Sequence, residues 1–275
     1  MTTSINNSKY IHGYTQDEQD RLIRQSKFLE SYIFTGIDFS NCHHIIELGC
    51  GVGAQIQFLL NRWPHLKITG VDISQTQISR AHEFLKPHIA AGKVYLYVSD
   101  GREIPCPDEC FDGAFICFVL EHSHSPLDLL KEIKRVMKSG SSLYCHEVFN
   151  AGQYVYPTCL AFQAYWEIFN RYQRELSGDP DIGMKLSNLV LKVGFSEVNS
   201  HRIPIYLDKT VTDISHRINL IDWFIENILS IAPTWIAEDR VSVYLIEAMK
   251  QELSCIKYNE DAVFIYPHHR IKAVK

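Results

Sequence analysis

The sequence has no long run of lysine or arginine, no stretch long and charge-free enough to span a bilayer, and no repeat or low-complexity tract. Each absence removes a class of function. A duplex nucleic acid is gripped through its phosphates by a basic face, and a net charge of −5 argues against one, so no nucleic acid partner is expected. Without a membrane span, and with a polar start from Met1 to Ser8 that lacks the apolar core of a signal peptide, the chain reads as soluble and cytoplasmic. Paired cysteines are missing too. The eight cysteines are scattered singly, with Cys117 and Cys145 inside expected strands, which suits reduced thiols better than a disulfide framework. Cys106-Pro-Asp-Glu-Cys110 has the wrong spacing for a zinc knuckle, and His122-Ser-His124 has no clear third ligand, so no metal site is expected.

What is present is a chain of 275 residues, 46% of them hydrophobic, which is ample for a sizeable core in one or two domains. It is organised around Ile45-Ile46-Glu47-Leu48-Gly49-Cys50-Gly51-Val52-Gly53. A β-branched run that breaks into alternating glycines, ahead of a helical pattern over 54–63, reads as a buried parallel strand turning sharply into a helix. Glycines there tolerate positive φ and carry no Cβ, so a ligand can lie against the backbone, and the turn is expected to offer it bare N–H groups. Glu47, two residues before the first glycine, would repel a pyrophosphate and favour a cationic or hydroxyl-bearing ligand.

Residues 1–12 read as flexible. Thr15-Gln16-Asp17-Glu18 forms a capping box for a helix over 17–34, and Tyr10-Ile11-His12-Gly13-Tyr14 before it reads as a lid on a glycine hinge. Further strands are expected at 67–71, 94–98, 111–119, 143–148, 195–203 and 262–274. Ser74-Gln75-Thr76-Gln77 caps a helix that stops before Pro87, Ser125-Pro126 opens the next, and Gly194 caps one over 181–193. Strands alternating with helices give an α/β, Rossmann-like, doubly wound parallel sheet, whose ligands bind outside the carboxyl ends of the strands. The second half differs. Residues 154–172 are thick with aromatics, sited either as core or as the roof of a pocket, and 212–257 is a mostly helical insert.

Glu47, Asp72 and Asp100 fall at the tips of successive strands and form a row suited to a long ligand, with Asp72 placed for ribose hydroxyls and Asp100 for an exocyclic amine. Gly49-x-Gly51-x-x-Ala54 also fits a dinucleotide fingerprint, and the loop alone does not choose. With the later motifs, the first 150 residues resemble the class I S-adenosylmethionine-dependent methyltransferases. Residues 45–53 resemble the glycine loop, Val71-Asp72-Ile73-Ser74 the acidic ribose site, and Ser99-Asp100-Gly101 the adenine site. Phe111-Asp112-Gly113-Ala114-Phe115 is similar to the fourth motif, which runs on through Phe118 to Val119-Leu120-Glu121-His122. Residues 135–141 resemble the turn before the fifth strand, with two serine departures that affect loop geometry only.

The resemblance implies a seven-stranded sheet with an antiparallel last strand, plus helical lid elements, and S-adenosyl-L-methionine as cofactor. Its contacts would come from Tyr14 of the lid, from Glu47, Gly49, Gly51 and Gly53, from Asp72, Ile73 and Gln77, and from Asp100, Gly101 and Phe118. The implied division is a single domain over 1–275: a lid helix at 10–36, a cofactor-binding core at 37–150, and helical substrate cover at 151–194 and 205–260. If the acceptor must lose a proton, His122 is the first candidate base, because imidazole titrates near neutrality, with His146 and Glu147 as second candidates. No N-P-P-Y-type tetrapeptide follows the fourth strand. That disfavours nucleobase or glutamine amino groups and leaves a small, apolar or aromatic metabolite, methylated on O, N or C. An NAD(P)-dependent oxidoreductase and a catalytically silent binding protein stay open as alternatives, and the oligomeric state is not readable.

Overall fold

The computed structural model describes residues 10–275. Its first helix, α1 (Gln16–Phe34), starts on Thr15, whose hydroxyl accepts from the Glu18 N–H at 3.2 Å. Only half of the expected capping box forms, because the Glu18 carboxylate turns to Arg21 instead of back to Thr15. Ahead of α1 the expected flexible lead is corrected where it can be checked. Residues 1–9 lie outside the described residues, while Ile11 is packed into the core at 1% exposure.

Five strands run parallel in the order β3-β2-β1-β4-β5: β1 (His44–Leu48), β2 (Lys67–Asp72), β3 (Val94–Val98), β4 (Phe111–Cys117) and β5 (Met137–Val148). Between them lie α2 (Ala54–Arg62), α3 (Gln75–Phe84), the short α4 (Lys86–Ala90) and α5 (Pro126–Val136). Pro87 therefore opens a second short helix rather than simply ending the first, since proline is tolerated in a first turn where its missing N–H has no partner to lose. β4 stops two residues earlier than expected: Phe118 takes a left-handed φ of 56° that no strand continues through.

Beyond β5 the chain adds one strand to the expected seven, β6 (Tyr154–Tyr156). After the 3-10 turn Asn150–Gly152 it pairs antiparallel with the last strand before entering α6 (Leu160–Glu175). The 3-10 turn Ile182–Lys185 and α7 (Leu186–Val193) follow, with Gly194 at φ 85° ending the helix as expected. β7 (Ser196–Leu207), then α8 (Ile214–Leu229), α9 (Ala232–Ala237) and α10 (Val243–Tyr258), lead to β8 (Val263–Val274). β8 runs antiparallel to β5 and pairs with β7 along almost its whole length, which is the antiparallel closing strand the resemblance implied.

Successive side chains on a strand point to opposite faces, and the core divides accordingly. Ile45, Phe115 and Tyr144 join a core built with α1, α2, α6, α8 and α10. Their neighbours Ile46, Ile116 and Cys145 join a second core under α5 and α7. Glu47, two residues from Ile45, and His146, two from Tyr144, are thereby directed to the first face, and Glu147 to the second.

Candidate active site

The tips of β1, β2, β3 and β4 meet α1, α6, α8 and β8 around one cavity of about 400 Å³. Such an edge is where an open parallel sheet leaves room for a ligand. The glycine loop makes this room in a different way from that expected. Its N–H groups are not bare: Gly49 and Cys50 donate to Val71 O at 2.7 and 3.0 Å, Gly53 to Cys50 O at 2.8 Å, and Gly51 to Asp72 Oδ2 at 2.9 Å. The loop's contribution is space. A Cβ on Gly51, at φ 50°, would meet nothing within 4 Å, so that residue is open floor.

The three acidic side chains share the cavity in three different states. Glu47 is 2% exposed, its Oε2 has no partner, and burial beside Asp72 pushes its carboxyl well above the ordinary range. Asp72 accepts from the Gly51 and Ser74 N–H groups at 2.9 and 2.8 Å; burial pushes it up against the pull of those bonds. Each of its oxygens keeps a second lone pair for a hydroxyl. Asp100 is held below the usual carboxylate range by Arg102, whose Nη2 donates to Oδ2 at 2.7 Å.

From the expected cofactor set, Glu47, Gly49 and Gly51 line the cavity with Asp72, Ile73 and Gln77, and so do Tyr14, Asp100 and Phe118. Gln77 also accepts from Gln19 Nε2 at 3.0 Å, which ties α1 to α3. Gly53 and Gly101 are corrected. A Cβ on Gly53 would lie 2.4 Å from Leu85 Cδ1, and one on Gly101 2.7 Å from Leu48 Cδ1, so these glycines admit close packing behind the loop instead of facing the cavity.

The candidate bases separate in the same way. His122, at the end of the 3-10 turn Leu120–His122, lines the cavity with Nε2 3.6 Å from Glu121 Oε1; burial pushes its imidazole down while Glu121 pulls it up. Glu147 does not reach the cavity. Its Oε1 accepts from the Val119 and Leu120 N–H groups at 2.9 and 2.7 Å, so it holds the turn that carries His122. Burial and Glu121 push its carboxyl up to about 8. His146 is fully buried behind the wall, bonded to His268.

Several lining residues escaped the sequence reading. Gln173 of α6 donates to Glu121 Oε2 at 2.8 Å and Arg21 reaches Asn227 of α8 at 2.9 Å, while His12 of the expected lid is bonded to Ser230. His268 and Tyr266 come from β8, where the alternation of Tyr266, His268 and Arg270 within Tyr266-Pro-His-His-Arg270 was the available signal. The aromatics of α6 are mainly core: Phe162, Tyr165, Trp166 and Tyr172 pack on Phe224 and Trp235, and Phe169 is the one of that run that lines the cavity.

Residues 46–145 match the family described as Methyltransferase domain. Over that stretch the chain matches a methyltransferase domain, the class that its sequence motifs resemble. The match removes the ambiguity of the glycine loop and does not favour the dinucleotide alternative. Among curated proteins the chain is similar to the O-methyltransferase cnsE of Penicillium expansum, 27% identical over 202 residues, covering 69% of this chain and 66% of that protein. It is also similar to the O-methyltransferase resE of Aspergillus sclerotiorum, 28% identical over 137 residues, covering 49% and 52%. The chain thus spans about half to two thirds of those two relatives. Among solved structures, the Haemonchus contortus phosphoethanolamine N-methyltransferase 2 bound to S-adenosyl-L-methionine superposes with a TM-score of 0.60 at 15% identity, covering 100% of this chain and 61% of that one. The [4+2]-cyclase SpnF does so with 0.54 at 18%, covering 93% and 80%. At such identities the likeness is one of fold.

The cofactor of the class is S-adenosylmethionine, and the methyltransferase domain has residues that fit it. A buried, unpartnered Glu47 oxygen suits an ammonium group, the free lone pairs of Asp72 suit vicinal hydroxyls, and the open floor at Gly51 admits a ligand against the backbone. Among the described residues no cluster of His, Cys, Asp or Glu could hold a metal ion, and no helix is long and apolar enough to cross a membrane.

Proposed function

We propose that the chain transfers a methyl group from S-adenosylmethionine to an oxygen of a small, apolar or aromatic metabolite. The observation that carries this reading is the continuity of one cavity from Glu47, Asp72 and Asp100 to an aromatic and imidazole-lined chamber under α1, α6 and α8. When bound, the cofactor supplies a methyl group on a positively charged sulfur. The chain's residues do the rest. Glu47 takes the ammonium, Asp72 the ribose hydroxyls and Asp100 the adenine amine, while Tyr14, Ile73, Gln77 and Phe118 enclose them. In this reading α1 is the lid and 151–194 with 205–260 the substrate cover, which exclude water and hold the acceptor in line for attack.

His122 is the base. Its lowered pKa keeps the imidazole neutral and able to accept the hydroxyl proton, and the Glu121 carboxyl beside Nε2 stabilises the imidazolium that forms. Oxygen is preferred as the accepting atom because a hydroxyl must lose a proton on methylation. A small molecule is preferred over nucleic acid because the cavity cations Arg21 and Arg102 are each paired to a carboxylate and the chain carries a net charge of −5. The eight unpaired cysteines support work in the reducing cytoplasm.

The test is calorimetry with S-adenosylmethionine, followed by incubation of the protein with methyl-labelled cofactor and a metabolite extract, read by mass spectrometry. Micromolar binding, abolished in Asp72→Ala, and a labelled ether or ester product are expected. Absence of both heat and product refutes the reading.

A further inference from the structure

Two buried imidazoles meet where β5 pairs with β8. His146 Nε2 lies 3.1 Å from His268 Nδ1, and the outer nitrogens, His146 Nδ1 and His268 Nε2, have no partner. The rings are 0% and 1% exposed, and burial pushes His146 well down and His268 to about 3, so both are neutral at ordinary pH. A neutral pair carries two N–H groups and two lone pairs. The bond between the rings uses one of each, leaving one N–H and one lone pair for the two outer atoms.

The surroundings decide which atom carries the proton. Both outer nitrogens are buried, but His268 lines the cavity and His146 does not, so a bound molecule can offer an acceptor to His268 and not to His146. A buried N–H without an acceptor is the rarer and costlier defect, and a lone pair is the better group to leave unpaired. The proton therefore stays on His146 Nε2, which donates to His268 Nδ1, and His268 is left with its N–H at Nε2. The rings are held in place from both sides. Phe118 stands edge-on to His146 and His268 at 5.3 and 5.0 Å, Tyr266 edge-on to His268 at 4.8 Å, and the Tyr266 hydroxyl is occupied as a donor to Asn150.

We propose that His268 determines acceptor specificity: its Nε2–H, set in that tautomer by His146, donates into the cavity and selects a methyl acceptor that bears a carbonyl, ether or hydroxyl oxygen in addition to the methylated atom. The word acceptor rests on the methyltransferase reading; the donor itself does not. A substrate presenting an ammonium or an N–H at this place finds no lone pair and is rejected, by the same asymmetry that makes buried polar sites discriminating. His146 is a positioning residue that acts through His268.

Long-range proton–nitrogen correlation on 15N-histidine-labelled full-length protein near neutral pH reads the tautomers directly, with no cofactor or substrate. The expected result is His268 and His146 both protonated at Nε2, with His268 shifting toward a tautomer mixture in His146→Phe. A His268 proton at Nδ1, or a charged His268, overturns the proposal whether or not the protein transfers methyl groups. Recognition is then tested with acetophenone and ethylbenzene, a pair of similar shape, titrated onto the protein saturated with S-adenosylhomocysteine and followed at His268 Nε2. The ratio of their affinities should fall about tenfold from wild type to His268→Phe and be partly restored by His268→Gln, which keeps an N–H donor. Equal or absent binding of the two ketone and hydrocarbon probes in the wild type, or an unchanged ratio in the variants, refutes it. Loss of S-adenosylhomocysteine binding in the wild type sinks the methyltransferase reading and leaves the tautomer result standing.

Discussion

Replacing Arg21 by methionine is the most informative single perturbation of the lid helix. Glu18 and Arg21 are 4% and 5% exposed and joined by two hydrogen bonds of 2.6 Å, Arg21 Nε to Oε2 and Nη2 to Oε1. Methionine fills much of the space of the arginine stem, so the main effect is a buried carboxyl without its cation. Breaking such a pair costs about 3–5 kcal/mol. Protonation sets a ceiling on that cost: neutralising a carboxyl of ordinary pKa about 4.3 near pH 7 takes about 3.7 kcal/mol, and near pH 5.5 only about 1.6 kcal/mol. Burial already pushes Glu18 up with Arg21 in place, and removal of the cation raises it further. A carboxyl whose folded pKa lies above its unfolded value favours the fold at low pH and loses that advantage as pH rises. Arg21→Met should therefore be destabilised by about 3–4 kcal/mol near pH 7 and by about half as much near pH 5.5, measured by urea unfolding. Adding Glu18→Gln should restore stability to within about 1–2 kcal/mol of wild type, because the stranded charge is gone. A loss that does not vary with pH, or a double variant no better than the single, refutes the reasoning.

Three other outcomes are expected. His122→Gln should lower kcat by about 10²–10⁴ while leaving S-adenosylhomocysteine affinity within about twofold, and wild-type activity should fall as pH drops and His122 takes up a proton. Asp72→Ala strands the Gly51 and Ser74 N–H groups at about 1–3 kcal/mol each, so thermal stability and cofactor affinity should fall together. The loop glycines should divide by readout. Gly53→Ala, with its Cβ 2.4 Å from Leu85, should lower the melting temperature and leave calorimetric affinity nearly intact, and Gly51→Ala, filling open floor, should cost more than about tenfold in affinity.

Much of the cofactor half was legible because its signals are local. A strand and its terminal acid sit within ten residues at each of the first three tips, with a run of alternating glycines after the first, so Glu47 and Asp72 could be placed before any tertiary contact was known. The chamber beyond them is assembled from α1, α6, α8 and β8, whose lining residues are spread over more than two hundred positions of the chain, and spacing carries no information over such distances. The error over Glu147 is instructive in another way. His146 and Glu147 are adjacent candidates in the sequence, yet the two-residue period of a strand sends neighbours to opposite faces, and the carboxylate lies on the side of the second core. The same period applied to β8 would have aligned His268 with Tyr266 and Arg270.

The left-handed backbone at Phe118 carries a lesson for anyone who engineers this scaffold. A non-glycine residue at φ 56° stores about 1–2 kcal/mol of strain. Glycine at position 118 would relieve that strain, but it would also remove a half-buried ring that packs on the first core and stands edge-on to His146 and His268, and that loss exceeds the gain. Packing and the shape of the chamber both hold the strained backbone in place at this one residue, and libraries built from the scaffold should keep it constant.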